Sequence, residues 1–106
     1  MRNLPKTLLA LSIFVLIGCT ASKPTGPFTL AEVAKHNKGN DCWMIINRKV
    51  YDVTNYVNGH PGGDIITEGC GTDATTLFET QGDEGEGHSS VAKSLLQSFY
   101  IGELVK

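Results

Sequence analysis

Apolar residues fall along this chain in three ways: one unbroken block, two strand-like runs and several helical clusters. The block, Leu8 to Ile17, is apolar except for Ser12 and follows Arg2 and Lys6. Ten residues of helix reach roughly 15 Å, half of a bilayer core of about 30 Å. A short apolar block behind positive charges reads as a signal peptide, not a spanning helix. Cys42 to Ile46 (CWMII) and Lys49 to Val53 (KVYDV) flank Asn47-Arg48, which predicts two strands and a turn. Trp43 and Ile45 share one strand face, Met44 and Ile46 the other, and Trp43 reads as core packing. Phe99 to Val105 (FYIGELV) predicts a closing strand.

The helical clusters carry start signals. Thr29-Leu30-Ala31-Glu32 is a capping box, opening a short helix with Leu30, Val33 and Ala34 on one face and an end near His36. Thr54 is placed to cap a short helix through Tyr56 and Val57. Asp64 is placed to cap one carrying Ile65 and Ile66, which Gly69 to Gly71 break. Asp73 does the same for Ala74 to Thr80, where Leu77 and Phe78 are the large apolar residues. Gln81 to Gly87 is an acidic loop. Ser89 or Ser90 then opens a helix to about Ser98, with Val91, Leu95 and Phe99 spaced along one face.

With 106 residues, the chain suits one domain with a modest core. A formal charge of −2, an acidic pI and no basic cluster give no sign of a nucleic-acid partner. Leu16-Ile17-Gly18-Cys19 closes the apolar block and resembles the lipobox of bacterial lipoproteins. The resemblance implies removal of residues 1–18 and lipidation of Cys19. Residues 19–27 are then the lipidated cysteine and a short linker, and residues 28–106 the domain. Thr20 to Pro27 would reach at most about 28 Å, holding the domain close to the membrane. The expected location is exported and lipid-anchored to a bacterial membrane, on the periplasmic side or the cell surface. A secreted protein cleaved nearby is the alternative. Export would leave Cys42 and Cys70 where disulfides persist, so they are expected as a disulfide or, alternatively, as two buried thiols.

The chemistry gathers at His60-Pro61-Gly62-Gly63. Pro61 pushes His60 toward an extended conformation. The two glycines let backbone approach a ligand closely. His88 stands at a second loop–helix junction. Around the two lie Val53, Tyr56, Val57, Ile66, Leu77, Phe78, Leu95 and Phe99. An apolar crevice with an imidazole on each wall suits a six-coordinate haem. Zinc-site spacing is absent, as is the C-x-x-C-H of covalent haem attachment. A third histidine, His36, reads as a surface residue favoured by a helix C-terminus.

In order along the chain, Phe28-Thr29-Leu30 with Glu32, His36-Asn37, Cys42-Trp43, Val50-Tyr51-Asp52-Val53-Thr54, His60-Pro61-Gly62-Gly63, Asp73-Ala74-Thr75 with Phe78, Gly87-His88-Ser89 and Ile101-Gly102-Glu103-Leu104 resemble the cytochrome b5 family. The match covers residues 28–104. It implies an α+β fold, a small mixed sheet with two helix pairs enclosing a haem crevice. It implies non-covalent haem b with His60 and His88 as axial ligands, Ser89 near a propionate, and Tyr56 and Phe78 as pocket aromatics. Ile66, Leu95 and Phe99 complete the expected pocket. The stretch between Phe78 and His88 is longer than the family's pattern, and Tyr56 stands where phenylalanine is typical. Two protein ligands leave iron no open position, so the implied role is a one-electron carrier and not an enzyme. A haem-binding or haem-delivery lipoprotein is the alternative, and an electron-transfer module of a membrane enzyme a further one.

Charge adds a partner. From Val50 to Ala92 there is no lysine or arginine, while the same span holds Asp52, Asp64, Glu68, Asp73, Glu79, Asp83, Glu84 and Glu86. The segment that builds the crevice is thus one-signed, which predicts redox partners with a basic docking face.

Overall fold

The computed structural model describes residues 25–80 and 87–106. The apolar block, Cys19, the linker up to residue 24 and acidic residues 81–86, including Asp83, Glu84 and Glu86, lie outside the described residues. No helix among the described residues is long and apolar enough to cross a membrane.

The sheet is organised on β2 (Asp41–Ile46). β1 (Asn37–Lys38) and β3 (Lys49–Asp52) pair antiparallel with it, and β5 (Tyr100–Glu103) pairs antiparallel with β3. β4 (Thr72–Asp73) runs parallel to β2, with Met44 opposite Thr72 and Ile45 opposite Asp73. The β2–β3 turn is the expected Asn47-Arg48. Both residues have positive φ, 52° and 67°, the twist that a two-residue hairpin connection favours. The two-residue strands β1 and β4 are too short to leave an alternation in the sequence.

Alternation on β2 splits the interior into two cores. Trp43 and Ile45 face the base with Phe28, Val33, Val50 and Ile101. Cys42, Met44 and Ile46 face the other side with Tyr51, Val53, Val57, Cys70 and Ala74. In the base core the Phe28 and Trp43 rings meet edge-on at 5.0 Å. His36 lies flat on Trp43, with ring centroids 3.7 Å apart, and its Nδ1 is 2.7 Å from the Asp41 carboxylate. It is therefore a half-buried cover for the indole, not the free surface residue that its place at a helix end suggests.

The capping box is reciprocal: the Glu32 N–H donates to the Thr29 hydroxyl at 3.0 Å, and the Thr29 N–H to the Glu32 carboxylate at 2.7 Å. The helix it opens, α1 (Leu30–Ala34), stops two residues short of His36. The domain takes hold of the chain slightly before Phe28, since the Gly26 N–H already donates to the Ile101 carbonyl at 3.3 Å. On β5, the Tyr100 hydroxyl donates to the Glu103 carboxylate. This bond raises the phenol's pKa and lowers the carboxyl's.

Four helical segments rise from the crevice side of the sheet. Thr54–Gly59 and Gly63–Gly69 are 3₁₀ helices, while α2 (Thr75–Thr80) and α3 (Ser90–Gln97) are α-helical. Three expected caps are corrected here. Thr54 does not cap its helix: its hydroxyl accepts from the Cys42 N–H at 2.9 Å and donates to Asp52 Oδ1 at 2.6 Å. Asp64 does not cap either, because its helix begins one residue earlier with Gly62 at the cap position. Ser89 caps as expected, whereas Asp73 stands one residue outside the cap position of α2, which Ala74 occupies, and forms a turn just before it. Asp73 Oδ1 accepts from the Thr75 N–H at 3.0 Å, and the Ser89 hydroxyl from the Ala92 N–H at 3.2 Å.

The packing face of α3 is also corrected. Val91 is 77% exposed. The inward stripe is Ala92, Leu95, Leu96 and Phe99, spaced i, i+3, i+4, i+7. Repeated steps of four advance around a 3.6-residue helix and leave Val91 off that stripe.

Cys42 and Cys70 form a disulfide, with Cα atoms 4.8 Å apart. Both residues are buried. The bond ties β2 to the end of the second 3₁₀ helix across a sequence separation of 28. On the chain-entropy model, closing such a loop contributes roughly 3–4 kcal/mol.

Candidate functional site

His60 caps the first 3₁₀ helix in extended conformation, φ −67° and ψ 125°, as Pro61 requires. The chain then turns sharply: the Gly63 N–H donates to the His60 carbonyl at 2.9 Å, with Gly63 at φ 77°. That turn brings the Gly63 carbonyl to 3.2 Å from His60 Nδ1. Gly62 is needed for space, since a Cβ there would lie 2.8 Å from His60 Cε1. Across the crevice, His88 Nδ1 is 2.7 Å from the Phe78 carbonyl. The His88 ring stacks on Phe78 with centroids 4.3 Å apart and planes 8° from parallel.

A carbonyl only accepts, so each Nδ1 in these bonds carries the proton. Each Nε2 is then left with its lone pair, the tautomer of a metal-ligating imidazole. The two ring centroids are 6.4 Å apart. Metal–nitrogen bonds of about 2 Å on opposite sides of one ion, plus about 1.1 Å from each nitrogen to its ring centre, give roughly 6.2 Å. The rings are thus spaced to share one ion.

Their surroundings are apolar. The crevice holds about 470 Å³. Met44, Ile46 and Val53 form its floor; Tyr56, Ile65 and Ile66 line the His60 side; Leu77, Phe78, Leu95, Leu96 and Phe99 line the His88 side. Tyr56 meets His60 edge-on at 5.9 Å and Phe99 at 5.3 Å. Polar lining includes Glu68 and Ser89. The Ser89 oxygen accepts a hydrogen bond as a helix cap, which leaves its proton free to donate to a ligand.

Every expected pocket residue, Tyr56, Ile66, Phe78, Ser89, Leu95 and Phe99, lines the same crevice as His60 and His88. The sequence reading missed the floor from Met44 and Ile46, which β2's alternation signals once its crevice face is known. It missed Ala92 and Leu96, which the correct α3 stripe contains. His36 lies with Trp43 on the base side and takes no part.

Of the acids in the one-signed segment, Asp52 and Asp73 are committed to local turns. Glu79 accepts from the Asn47 side chain at 3.4 Å. Asp64 and Glu68 stand exposed on the second 3₁₀ helix, and Glu68 lines the crevice.

Among the described residues, no group of three or more His, Cys, Asp or Glu side chains could hold a metal ion. Two imidazoles in an apolar cleft therefore fit a flat group that brings its own metal and the metal's remaining donors. Fold and site define an α+β protein built around a two-histidine cofactor crevice.

The comparisons name that class. The family model for the cytochrome b5-like Heme/Steroid binding domain matches residues 29–105. The chain is 53% identical over 78 residues to a cytochrome b5 of Borago officinalis, covering 73% of this chain and 55% of that protein. It spans just over half the length of the first curated relatives it matches. Among solved structures, cytochrome b558 of Ectothiorhodospira vacuolata, titled a prokaryotic homologue of cytochrome b5, is 49% identical with a TM-score of 0.70. That match covers 73% of this chain and 95% of that one. The cytochrome b5 of Ostreococcus tauri virus 2 is 33% identical with a TM-score of 0.65, covering 77% and 90%. The chain belongs to the cytochrome b5-like family, whose members bind b-type haem non-covalently.

Replacing Gly62 by alanine tests the close approach at His60. The added Cβ displaces the imidazole, and the expected result is faster haem loss with an unchanged circular dichroism spectrum. Haem transfer to excess apomyoglobin measures it; an unchanged transfer rate would show that the space beside His60 is dispensable.

Proposed function

We propose that this protein is a membrane-anchored b-type cytochrome that carries single electrons, with His60 and His88 as the axial ligands through Nε2. The carrying observation is the pair of imidazoles, each with Nδ1 on a main-chain carbonyl and 6.4 Å apart across an apolar crevice. Of the two ligand classes in the family's name, this favours haem, because a steroid offers two imidazole lone pairs no metal. The haem supplies reversible iron oxidation and reduction. The chain supplies two ligands of fixed tautomer, walls that exclude water, and Ser89 as a donor toward a propionate. With both axial positions filled by protein, substrate has no route to the metal.

His88→Ala should open one axial position, so that the reduced variant binds carbon monoxide while the unsubstituted protein resists it. Absorption spectra of the dithionite-reduced proteins decide. Ready carbon monoxide binding by the unsubstituted protein counts against two-histidine ligation.

The proposed location is the periplasmic side or surface of a bacterial membrane, anchored by lipid on Cys19. The apolar block and lipobox-like Leu16-Ile17-Gly18-Cys19 support this. The Cys42–Cys70 disulfide supports export independently, since such bonds persist outside the reducing cytosol. Cys19→Ser is expected to abolish incorporation of radiolabelled palmitate and release the protein from the membrane fraction; labelling as strong as before would exclude Cys19 as the modified residue.

The proposed partner is a redox protein with a basic face. Asp64 and Glu68 near the crevice, with Asp83, Glu84 and Glu86 in the adjoining sequence, give the segment its single sign. A weak, small interface suits rapid redox encounters. With a Debye length of about 8 Å at physiological salt, stopped-flow electron transfer to a basic redox protein should slow markedly as ionic strength rises. A rate indifferent to salt would exclude docking on the acidic face.

A further inference from the structure

The two walls of the crevice are fastened to the sheet in different ways. His60 sits in an arc bounded by the buried residues Val57 and Cys70. The Cys70 end is covalently joined to Cys42 on β2. Directly after it, the Gly71 N–H donates to the Trp43 carbonyl at 2.6 Å, and β4 pairs with β2. His88 sits in an arc from Ala74 to Ile101, about twice as long, along which no described residue is buried. Neither α2 nor α3 has a buried side chain. This arc is joined to the sheet through hydrogen bonds, from the Ala74 N–H to the Ile45 carbonyl at 2.7 Å, from the Asn47 N–H to the Thr75 hydroxyl at 2.9 Å, from the Asn47 side chain to Glu79 at 3.4 Å and from the Asp52 N–H to the Phe99 carbonyl at 2.8 Å.

The freedom of a segment between fixed points grows with its length. A crosslink removes states from the opened ensemble. Local opening is easiest where few side chains are buried. Length and the crosslink place the first opening on the His88 side, while side-chain burial does not separate the two arcs, since between Val57 and Cys70 only Gly69 is buried.

We propose that Cys42 and Cys70 are positioning residues for the cofactor: their disulfide makes His60 the anchoring ligand and leaves His88 the ligand that detaches first. This rests on the two-histidine ligation proposed above. The disulfide touches no reacting atom. It fixes the wall that carries His60 against the strand that forms the crevice floor.

The test uses the haem-loaded full-length protein in detergent and follows haem transfer to excess apomyoglobin. His60→Ala and His88→Ala are each measured with the disulfide present and in the Cys42→Ala/Cys70→Ala background. With the disulfide, His60→Ala should lose haem roughly tenfold faster than His88→Ala, a difference smaller than the crosslink's worth to the opened chain. Removing the disulfide should speed loss from His88→Ala, which depends on His60, roughly tenfold, and change loss from His60→Ala little. Equal acceleration of both would reduce the disulfide to a general stabiliser and overturn the proposal, as would acceleration of neither. Unchanged absorption spectra in both histidine variants would instead remove the ligation reading beneath it.

Hydrogen exchange on the unsubstituted haem-loaded protein gives a second readout that needs no cysteine variant to fold. The Cys70 and Gly71 amides should exchange more slowly than those of Lys93 and Ser98 in and after α3. The reverse order overturns the proposal.

Discussion

The burial of both faces of β2 is the constraint on which the rest of this structure depends. Five of its six residues, Cys42 to Ile46, are buried. Trp43 and Ile45 draw α1's Val33, Phe28 and the closing strand onto one side. Met44 and Ile46 make a floor on the other, while Cys42 reaches across to Cys70. A strand buried on one face would give a base without a crevice. Because β2 also pairs with β1, β3 and β4, a slip of one residue would exchange the two cores and turn Trp43 into the cofactor floor.

The crevice side is built differently from the base. Base residues Val33, Ile45 and Val50 are fully enclosed by protein. The crevice walls are not: Tyr56, Ile66, Leu77, Phe78, Leu96 and Phe99 are only partly buried, though all pack against the crevice-side core. Apolar walls facing one another across a gap gain by closing on an apolar partner, at roughly 25 cal/mol per Å² removed from water. A ligand that binds the folded state alone also shifts the folding equilibrium toward it. The cofactor is therefore a structural component of this half of the domain, whereas the base core is complete without it.

Much of this was legible in the sequence because the signals are local. The Thr29 capping box, the Asn47-Arg48 turn and the His60-Pro61-Gly62-Gly63 corner each need only their own few residues, and each is found where expected. What failed depended on tertiary contacts. Thr54 looks like a helix cap, but its hydroxyl bridges the Cys42 amide and Asp52, a contact across the β2–β3 pair. His36 looks like an exposed helix end, but Trp43 offers it a flat surface and Asp41 a carboxylate. Val91 fits a repeat of four, but the sheet selects the neighbouring stripe. β4 is a strand solely because β2 presents a free edge at Met44 and Ile45. The crevice as a whole was readable because its residues announce themselves by type; its floor was not, because Met44 and Ile46 look like any core pair until β2 is given a side.

Both imidazoles are oriented by main-chain carbonyls, not by carboxylates, and this shapes what the site can do. An Asp or Glu in that role would add charge beside the metal and would titrate. A carbonyl does neither, so the tautomer of each ring is held without a change of protonation nearby. With the two proposed ligands held in this way, one means of adjusting the iron, beside its burial, is the electrostatic field of the surrounding chain. That field is set by carboxylates on the His60 wall, Asp64 and Glu68, and by the absence of any cation from Val50 to Ala92. Negative charge favours the ferric over the ferrous state, because the ferric centre carries one more positive charge. In the proposed function, the carboxylates that would attract a basic partner would also bias the centre toward donating its electron. A cationic face docking there would neutralise part of that field, which would link recognition to redox poise through one set of side chains.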